Sequence, residues 1–263
     1  DESRRNEARA ELVKLQSGDE ENLAIWQRMI ALSQEQFDHV YGRLGVTFDQ
    51  TLGESFYNPQ LPGLVEELQG KGIAELSEGA MVVRFPGDKQ LADKPAIVRK
   101  RDGAANYTTT DLATLRYRME TWSPTDIVYV TDGRQQLHFQ QLFNIFGRWQ
   151  KSASAKLEHV WFGSILGPDG KPFKTRSGET VHLADLLDEA EERALAVVSE
   201  KNPDLPDAER REIARVVGLG ALKYADLSNN RQSDYIFNWN KMLALQGNTA
   251  PYLQYAYTRV RSI

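Results

Sequence analysis

Asp126-Ile-Val-Tyr-Val-Thr131 is a short apolar run rich in β-branched residues, and Asp132-Gly-Arg-Gln-Gln-Leu-His138 follows it, a glycine turn opening into a helical pattern. The first run has the composition and length of a strand. Working outward, a helix-like segment from Thr110 to Thr121 precedes it, and a helix from Gln135 to Trp149 follows. A second strand, Leu157-Glu-His-Val-Trp-Phe162, comes next. Strand and helix alternating in units of this length predict an α/β fold with a parallel sheet, because parallel neighbours need a long crossover connection.

From Glu20 to Leu44, apolar residues at Leu23, Trp26, Ile30, Phe37, Val40, Tyr41 and Leu44 keep helical spacing, which predicts a helix with a core-facing stripe. Between Val46 and Lys100 the pattern changes to short runs, Ala80-Met-Val-Val-Arg-Phe85 and Ala96-Ile-Val-Arg-Lys100, bounded by Gly, Pro and Asp and read as strands. After Leu183 the positions Leu186, Leu187, Ala190, Ala194, Val197 and Val198, then Ile213, Val216, Val217 and Leu222, hold helical spacing. The last third is therefore expected to be all helical. Near its end, Leu253 and Val260 sit at core spacing with Tyr252, Tyr255, Tyr257, Arg259 and Arg261 interleaved, a pattern read first as helix packing.

With 263 residues, 41% of them hydrophobic, the chain can bury a substantial core. The absence of cysteine excludes disulfides and thiolate metal sites, and no metal-ligating cluster stands out. No signal peptide and no apolar run long enough to cross a bilayer is present, so no membrane partner and a reducing, cytoplasmic location are expected. A formal net charge of −5 argues against nonspecific coating of nucleic acid but leaves local basic faces open. The chain starts at Asp1 without methionine and stops at Ser262-Ile263 inside a helical pattern, and an internal piece of a longer protein is the expectation.

In open parallel sheets, ligands bind beyond the carboxyl ends of the strands, which directs attention to the segments after Thr131 and after Phe162. Asn106-Tyr-Thr-Thr-Thr-Asp111 opens a helix and is rich in capping residues. Tyr107 and Asp111 are four apart, so one helix turn places a phenol and a carboxylate on the same face. A carboxylate beside an aromatic ring suits a guanidinium, from an internal arginine or from a ligand. Gly53-Glu-Ser-Phe-Tyr57 offers a second carboxylate, Glu54, and His138 shares helical spacing with Gln135 and Gln141. Lys171-Pro-Phe-Lys-Thr-Arg-Ser-Gly-Glu-Thr180 follows a turn-rich stretch. Its Lys and Arg, flanked by glycine, suit the charge that develops on a transferring phosphate, although it is no Walker A loop.

Taken in order, Tyr-Thr-Thr-Thr-Asp-Leu-Ala, Arg-Gln-Gln-Leu-His-Phe, Val-Trp-Phe-Gly-Ser-Ile-Leu-Gly with Phe-Lys-Thr-Arg-Ser-Gly, and Gly-Asn-Thr-Ala-Pro-Tyr-Leu-Gln-Tyr-Ala-Tyr-Thr-Arg resemble the blocks of arginyl-tRNA synthetase, a class I aminoacyl-tRNA synthetase. The resemblance spans essentially the whole chain. It implies a partial class I Rossmann-like catalytic domain over residues 1–182, with a helical and β insertion up to about residue 100 and the second Rossmann half over about 101–182. Residues 183–263 would be a helical region leading into an anticodon-binding domain.

The activity implied is ATP-dependent conversion of L-arginine to arginyl-adenylate and transfer to tRNA(Arg), with Mg2+ accompanying ATP. Tyr107, Asp111 and Glu54 resemble residues that hold the substrate guanidinium, and Gln135 the glutamine at the substrate's amino-acid end. His138, Phe162 and Gly163 resemble part of the ATP site. The decapeptide resembles the mobile KMSKS loop. Ser177 stands where many class I enzymes carry the second lysine, which leaves Lys174, Arg176 and Lys171 as the cations. None of the 4 histidines stands in the His-x-Gly-His element of class I enzymes. This chain alone is therefore expected to have little or no aminoacylation activity. A synthetase for another amino acid and a noncatalytic RNA-binding scaffold are the competing readings. The sequence sets no oligomeric state.

Overall fold

The computed structural model describes residues 2–16, 18–152, 154–167, 169–171 and 182–263. In chain order the elements are α1 Glu2–Gln16, α2 Glu20–Leu44, a 3-10 segment Glu54–Gln60, α3 Leu61–Gly70, β1 Glu75–Ser77, β2 Ala80–Val83, β3 Ala96–Arg99 and α4 Tyr107–Trp122. Then come β4 Asp126–Asp132, a 3-10 turn Gly133–Gln135, α5 Gln136–Trp149, β5 Lys156–Phe162, β6 Ile165–Leu166, α6 Leu183–Lys201, α7 Asp207–Leu227, β7 Tyr235–Ile236, α8 Trp239–Met242 and α9 Ala250–Arg261. They divide into two compact units, one of residues 1–50, 181–222 and 250–263, the other of residues 51–180 and 223–249.

The first unit is helical. Asp19 caps α2 by accepting the Asn22 N–H at 3.0 Å, and Gly45 ends it in the left-handed conformation at φ 64. Arg43, in its last turn, pairs with Asp188 at 2.7 Å and Glu191 at 2.8 Å on α6. The expected core-facing stripe of α2 is not buried: no residue of the helix is, and Ile30 and Phe37 are 51% and 54% exposed. Periodicity reports that a helix has an apolar side but not that its own domain covers that side. Leu253 and Val260 of α9 are likewise exposed despite their spacing.

In the second unit β4 and β5 pair in parallel from Asp126↔Lys156 to Asp132↔Phe162, with α5 as the crossover. This is the α/β arrangement expected from the alternation. β1, β2 and β3 form a separate antiparallel sheet. The last third is not wholly helical, because β7 pairs in parallel with β6, Ile165↔Tyr235 and Leu166↔Ile236. A two-residue strand carries no periodicity, and its partner lies far away in sequence.

The core of this unit gathers around α4. Leu112 and Leu115 share one buried cluster with Leu64 and Leu68 of α3, Met81, Val83 and Val98 of the antiparallel sheet, and Leu142, Ile145 and Phe146 of α5. Three threonines at the start of α4 are buried as well. Among them Thr109 Oγ1 donates to the Val98 carbonyl, and one turn on the buried Thr114 Oγ1 donates to the Thr110 carbonyl at 2.9 Å, so these two hydroxyls are satisfied. Asn106 accepts the Tyr107 N–H at 2.9 Å and donates to the Ile97 carbonyl at 3.1 Å, fixing the start of α4 against β3.

Glu67 of α3 ties three helices together. Its carboxylate accepts from Lys71 at 2.7 Å, from the indole N–H of Trp149 on α5 at 2.8 Å and from Arg116 on α4 at 3.4 Å. The Lys71 bond, then the Trp149 bond and the Arg116 charge, outweigh burial and hold this carboxyl below its ordinary range. A depressed carboxyl stabilises the fold above the unfolded-state value of about 4.3 and loses that contribution as pH falls. Glu67→Ala should lower stability in urea denaturation at pH 7 by about 1–3 kcal/mol, since the buried Trp149 loses its acceptor, and should flatten the acid-side decline. An unchanged urea midpoint would exclude the tie.

Candidate active site

A cleft of about 580 Å³ opens in the second unit beyond the carboxyl end of β4. One stripe of α4 provides Tyr107, Asp111, Thr114 and Arg118, spaced as successive positions on one helix face. The 3-10 segment contributes Glu54 and Tyr57, β4 contributes Tyr129, and the turn after β4 with the start of α5 contributes Arg134, Gln135 and His138. The opposite face of α4 is buried, so the core that holds the helix also aims this stripe.

His138 is buried, and its Nε2 lies 2.6 Å from Asp111 Oδ2. Nε2–H donates to the carboxylate, and the edge of the Tyr107 ring packs on the imidazole at 4.7 Å. The two arginines of the cleft are placed elsewhere. Arg134 forms a two-pronged pair with Asp132, at 2.8 and 3.1 Å, and Arg118 lies over the Tyr129 ring at 5.1 Å. Among the described residues, no arginine pairs with Asp111 or Glu54, so none of them is the internal partner of Asp111. The lining holds two carboxylates, Asp111 and Glu54, against Arg118, while Arg134 is held by Asp132. Such a cleft suits a single positive charge presented by a fork of N–H donors.

Glu54, Tyr107, Asp111, Gln135 and His138 thus meet in one place. Phe162 and Gly163 do not line the cleft. Phe162 ends β5 opposite Asp132, 44% exposed, while Gly163 begins a tight seam with the segment before β7. Its N–H donates to the Arg231 carbonyl at 2.8 Å, and an added Cβ would stand 2.7 Å from the Ser233 carbonyl. Lys171 is exposed on a turn, its N–H donating to Asp169 Oδ1 at 3.1 Å. Lys174, Arg176 and Ser177 lie outside the described residues.

Sequence reasoning did not single out Tyr57, Arg118 or Tyr129. Extending the spacing of Tyr107 and Asp111 by two turns reaches Thr114 and Arg118, so that signal was available. Tyr129 alternates with Ile127 on the buried face of β4 and reads as core. A neighbouring histidine, His159, is held below its ordinary pKa, first by burial and then by the charge of His138, while its Nε2 meets Thr131 Oγ1 at 2.8 Å.

Comparison with known proteins gives a consistent picture. A family model described as "tRNA synthetases class I (R), catalytic domain" matches residues 1–239. The arginine–tRNA ligase of Chromobacterium violaceum is 54% identical over 263 residues, which cover 98% of this chain and 46% of that protein. That of an Escherichia coli strain is 51% identical over 268 residues, covering 100% of this chain and 46% of the relative. The chain therefore spans about half the length of the curated relatives it matches. Among solved structures, Plasmodium falciparum arginyl-tRNA synthetase superposes with a TM-score of 0.82 at 29% identity, over 96% of this chain and 42% of the other. The Thermus thermophilus arginyl-tRNA synthetase shares the fold at a TM-score of 0.76 and 24% identity, over 95% of this chain and 48% of the other.

The seam at Gly163 has a direct test. Gly163→Ala should lower stability by about 1–3 kcal/mol in a thermal melt, because its Cβ meets backbone that cannot yield without displacing the strand beside it. A melt like that of the wild type would assign Gly163 no packing role.

Proposed function

This chain belongs to the family of class I arginyl-tRNA synthetase catalytic domains, and on that premise we propose that it supplies the arginine-holding side of an arginine–tRNA ligase. The observation that carries the proposal is the state of Asp111. His138 engages Oδ2, no arginine of the described residues engages Oδ1, and the side chain remains about a third exposed to the cleft. Tyr107 offers a ring face beside it, and Glu54 a second carboxylate without an ion-pair partner among the described residues. These groups are acceptors and aromatic surface, which match the donor-only guanidinium of arginine.

In the proposed reaction an oxygen of the arginine carboxylate attacks the α-phosphorus of ATP. Pyrophosphate leaves, and arginyl-adenylate forms. A hydroxyl of the terminal adenosine of tRNA(Arg) then attacks the activated carbonyl, and AMP departs. The residues of the cleft bind and orient: Asp111 and Glu54 fix the guanidinium, Tyr107 stacks beside it, and Gln135 holds the amino-acid end. His138 keeps the Asp111 carboxylate turned into the cleft and, with Phe162 and Gly163, is proposed to border the nucleotide. Lys171, Lys174 and Arg176, with Ser177 beside them, would offset charge on the leaving pyrophosphate.

Mg2+ would come with the phosphates of ATP, and no cluster of three metal-ligating side chains exists among the described residues to hold it. No helix among the described residues is long and apolar enough to cross a membrane. A cytoplasmic location, and a role for residues 183–263 in leading into an anticodon-binding domain, belong to the same proposal.

Titration of arginine into the purified chain tests the assignment. Asp111→Ala should weaken binding by about 30-fold or more, the 2–5 kcal/mol that loss of one member of a buried charge pair costs. Undiminished arginine affinity would remove Asp111 from the site. The chain alone should support no arginine-dependent ATP–pyrophosphate exchange, since its sequence contains no His-x-Gly-His element. Measurable exchange would contradict that dependence.

A further inference from the structure

Two polar atoms of the cleft residues are buried without a partner among the described residues, Tyr129 Oη and His138 Nδ1. Tyr129 is 9% exposed, and its ring is fixed between Phe139 at 4.8 Å, Phe143 at 5.9 Å and the Arg118 guanidinium at 5.1 Å. Buried phenols normally find a hydrogen-bond partner, and leaving one unmade costs about 1–3 kcal/mol. Phenylalanine would fill the same space without that cost. Burial, opposed by the Arg118 charge and reinforced by Asp111 and Tyr57, raises the phenol's pKa well above its ordinary value, so it stays protonated at neutral pH.

We infer that Tyr129 Oη is a ligand contact, a neutral oxygen in the cleft wall that accepts one guanidinium N–H and makes the cleft selective for a planar fork of donors over an ammonium. The inference rests on the arginine reading above and names a residue that reading does not use. A guanidinium brings five N–H donors, whereas an ammonium brings three from one point. Asp111 has one oxygen engaged by His138, which leaves Oδ1 and the carboxylate of Glu54 as the charged acceptors. A further carboxylate would add charge to a lining that already holds two. A neutral oxygen adds an acceptor on another element without adding charge. Arg118 lies over the face of the Tyr129 ring, and the hydroxyl at the ring's edge has no partner among the described residues.

Tyr129→Phe removes only this oxygen. Calorimetric titration of the chain with arginine and with lysine should show arginine binding about tenfold weaker in the variant, and a correspondingly smaller preference for arginine over lysine. The melting temperature should be unchanged or higher, because no protein hydrogen bond is lost. In wild-type chain with 13Cζ-labelled tyrosine, the Tyr129 resonance should shift on saturation with arginine. Equal arginine affinity in the variant, or a Tyr129 resonance that stays put while arginine binds, would overturn the assignment and leave the arginine reading standing. Failure of the wild type to bind arginine in preference to lysine would overturn both.

Discussion

The hydrogen bond from His138 to Asp111, 2.6 Å long, joins the N-terminal part of α4 to the first turn of α5 and sets the chemistry of the cleft between them. It leaves Asp111 an acceptor with one oxygen engaged and one open. It also explains why His138, though buried, is tolerated: the imidazole has a carboxylate for Nε2 and the ring of Tyr107 against its side. Everything else in the site is arranged around that pair. Arg134 is bound to Asp132 and Arg118 lies on Tyr129, so neither of these two arginines neutralises the Asp111 carboxylate.

The position of the pair follows from how α4 is held. Its apolar and threonine side is driven into the core, where hydroxyls bond to carbonyls of the helix and of β3, and its end is anchored through Asn106. Burying that side commits Tyr107, Asp111 and Arg118 to the cleft, since a helix cannot rotate one face without the other. α5 is committed in the same way: Phe139, Leu142, Ile145 and Phe146 are buried, and His138 starts the helix directly after the turn that closes β4. The site sits beyond the carboxyl end of β4 because the crossover helix α5 begins there and its first turn, with His138, faces the opening.

Much of this was legible in the sequence. Alternation of strand and helix from Thr110 to Phe162 gave the parallel pair β4 and β5, and the spacing of Tyr107 and Asp111 gave their shared face. Local pattern did not reveal what lies across space. The exposed stripe of α2 and the two-residue pairing of β6 with β7 depend on what packs against them, which periodicity does not encode. Tyr129 shows the same limit on a smaller scale. Its alternation marks a core residue, and only the three-dimensional arrangement reveals a hydroxyl left unpaired beside Asp111. The resemblance assigns Gly163 to a nucleotide site, and the structure adds a packing demand from the Ser233 backbone.

The central claim is that a ligand guanidinium occupies the open side of Asp111. A crystal structure of this chain soaked with arginine tests it most directly. The account predicts guanidinium nitrogens within about 3 Å of Asp111 Oδ1, the distance of a charge-assisted hydrogen bond, with the His138 bond to Oδ2 retained. Arginine bound away from Asp111, or Asp111 turned to pair with Arg118, would contradict it.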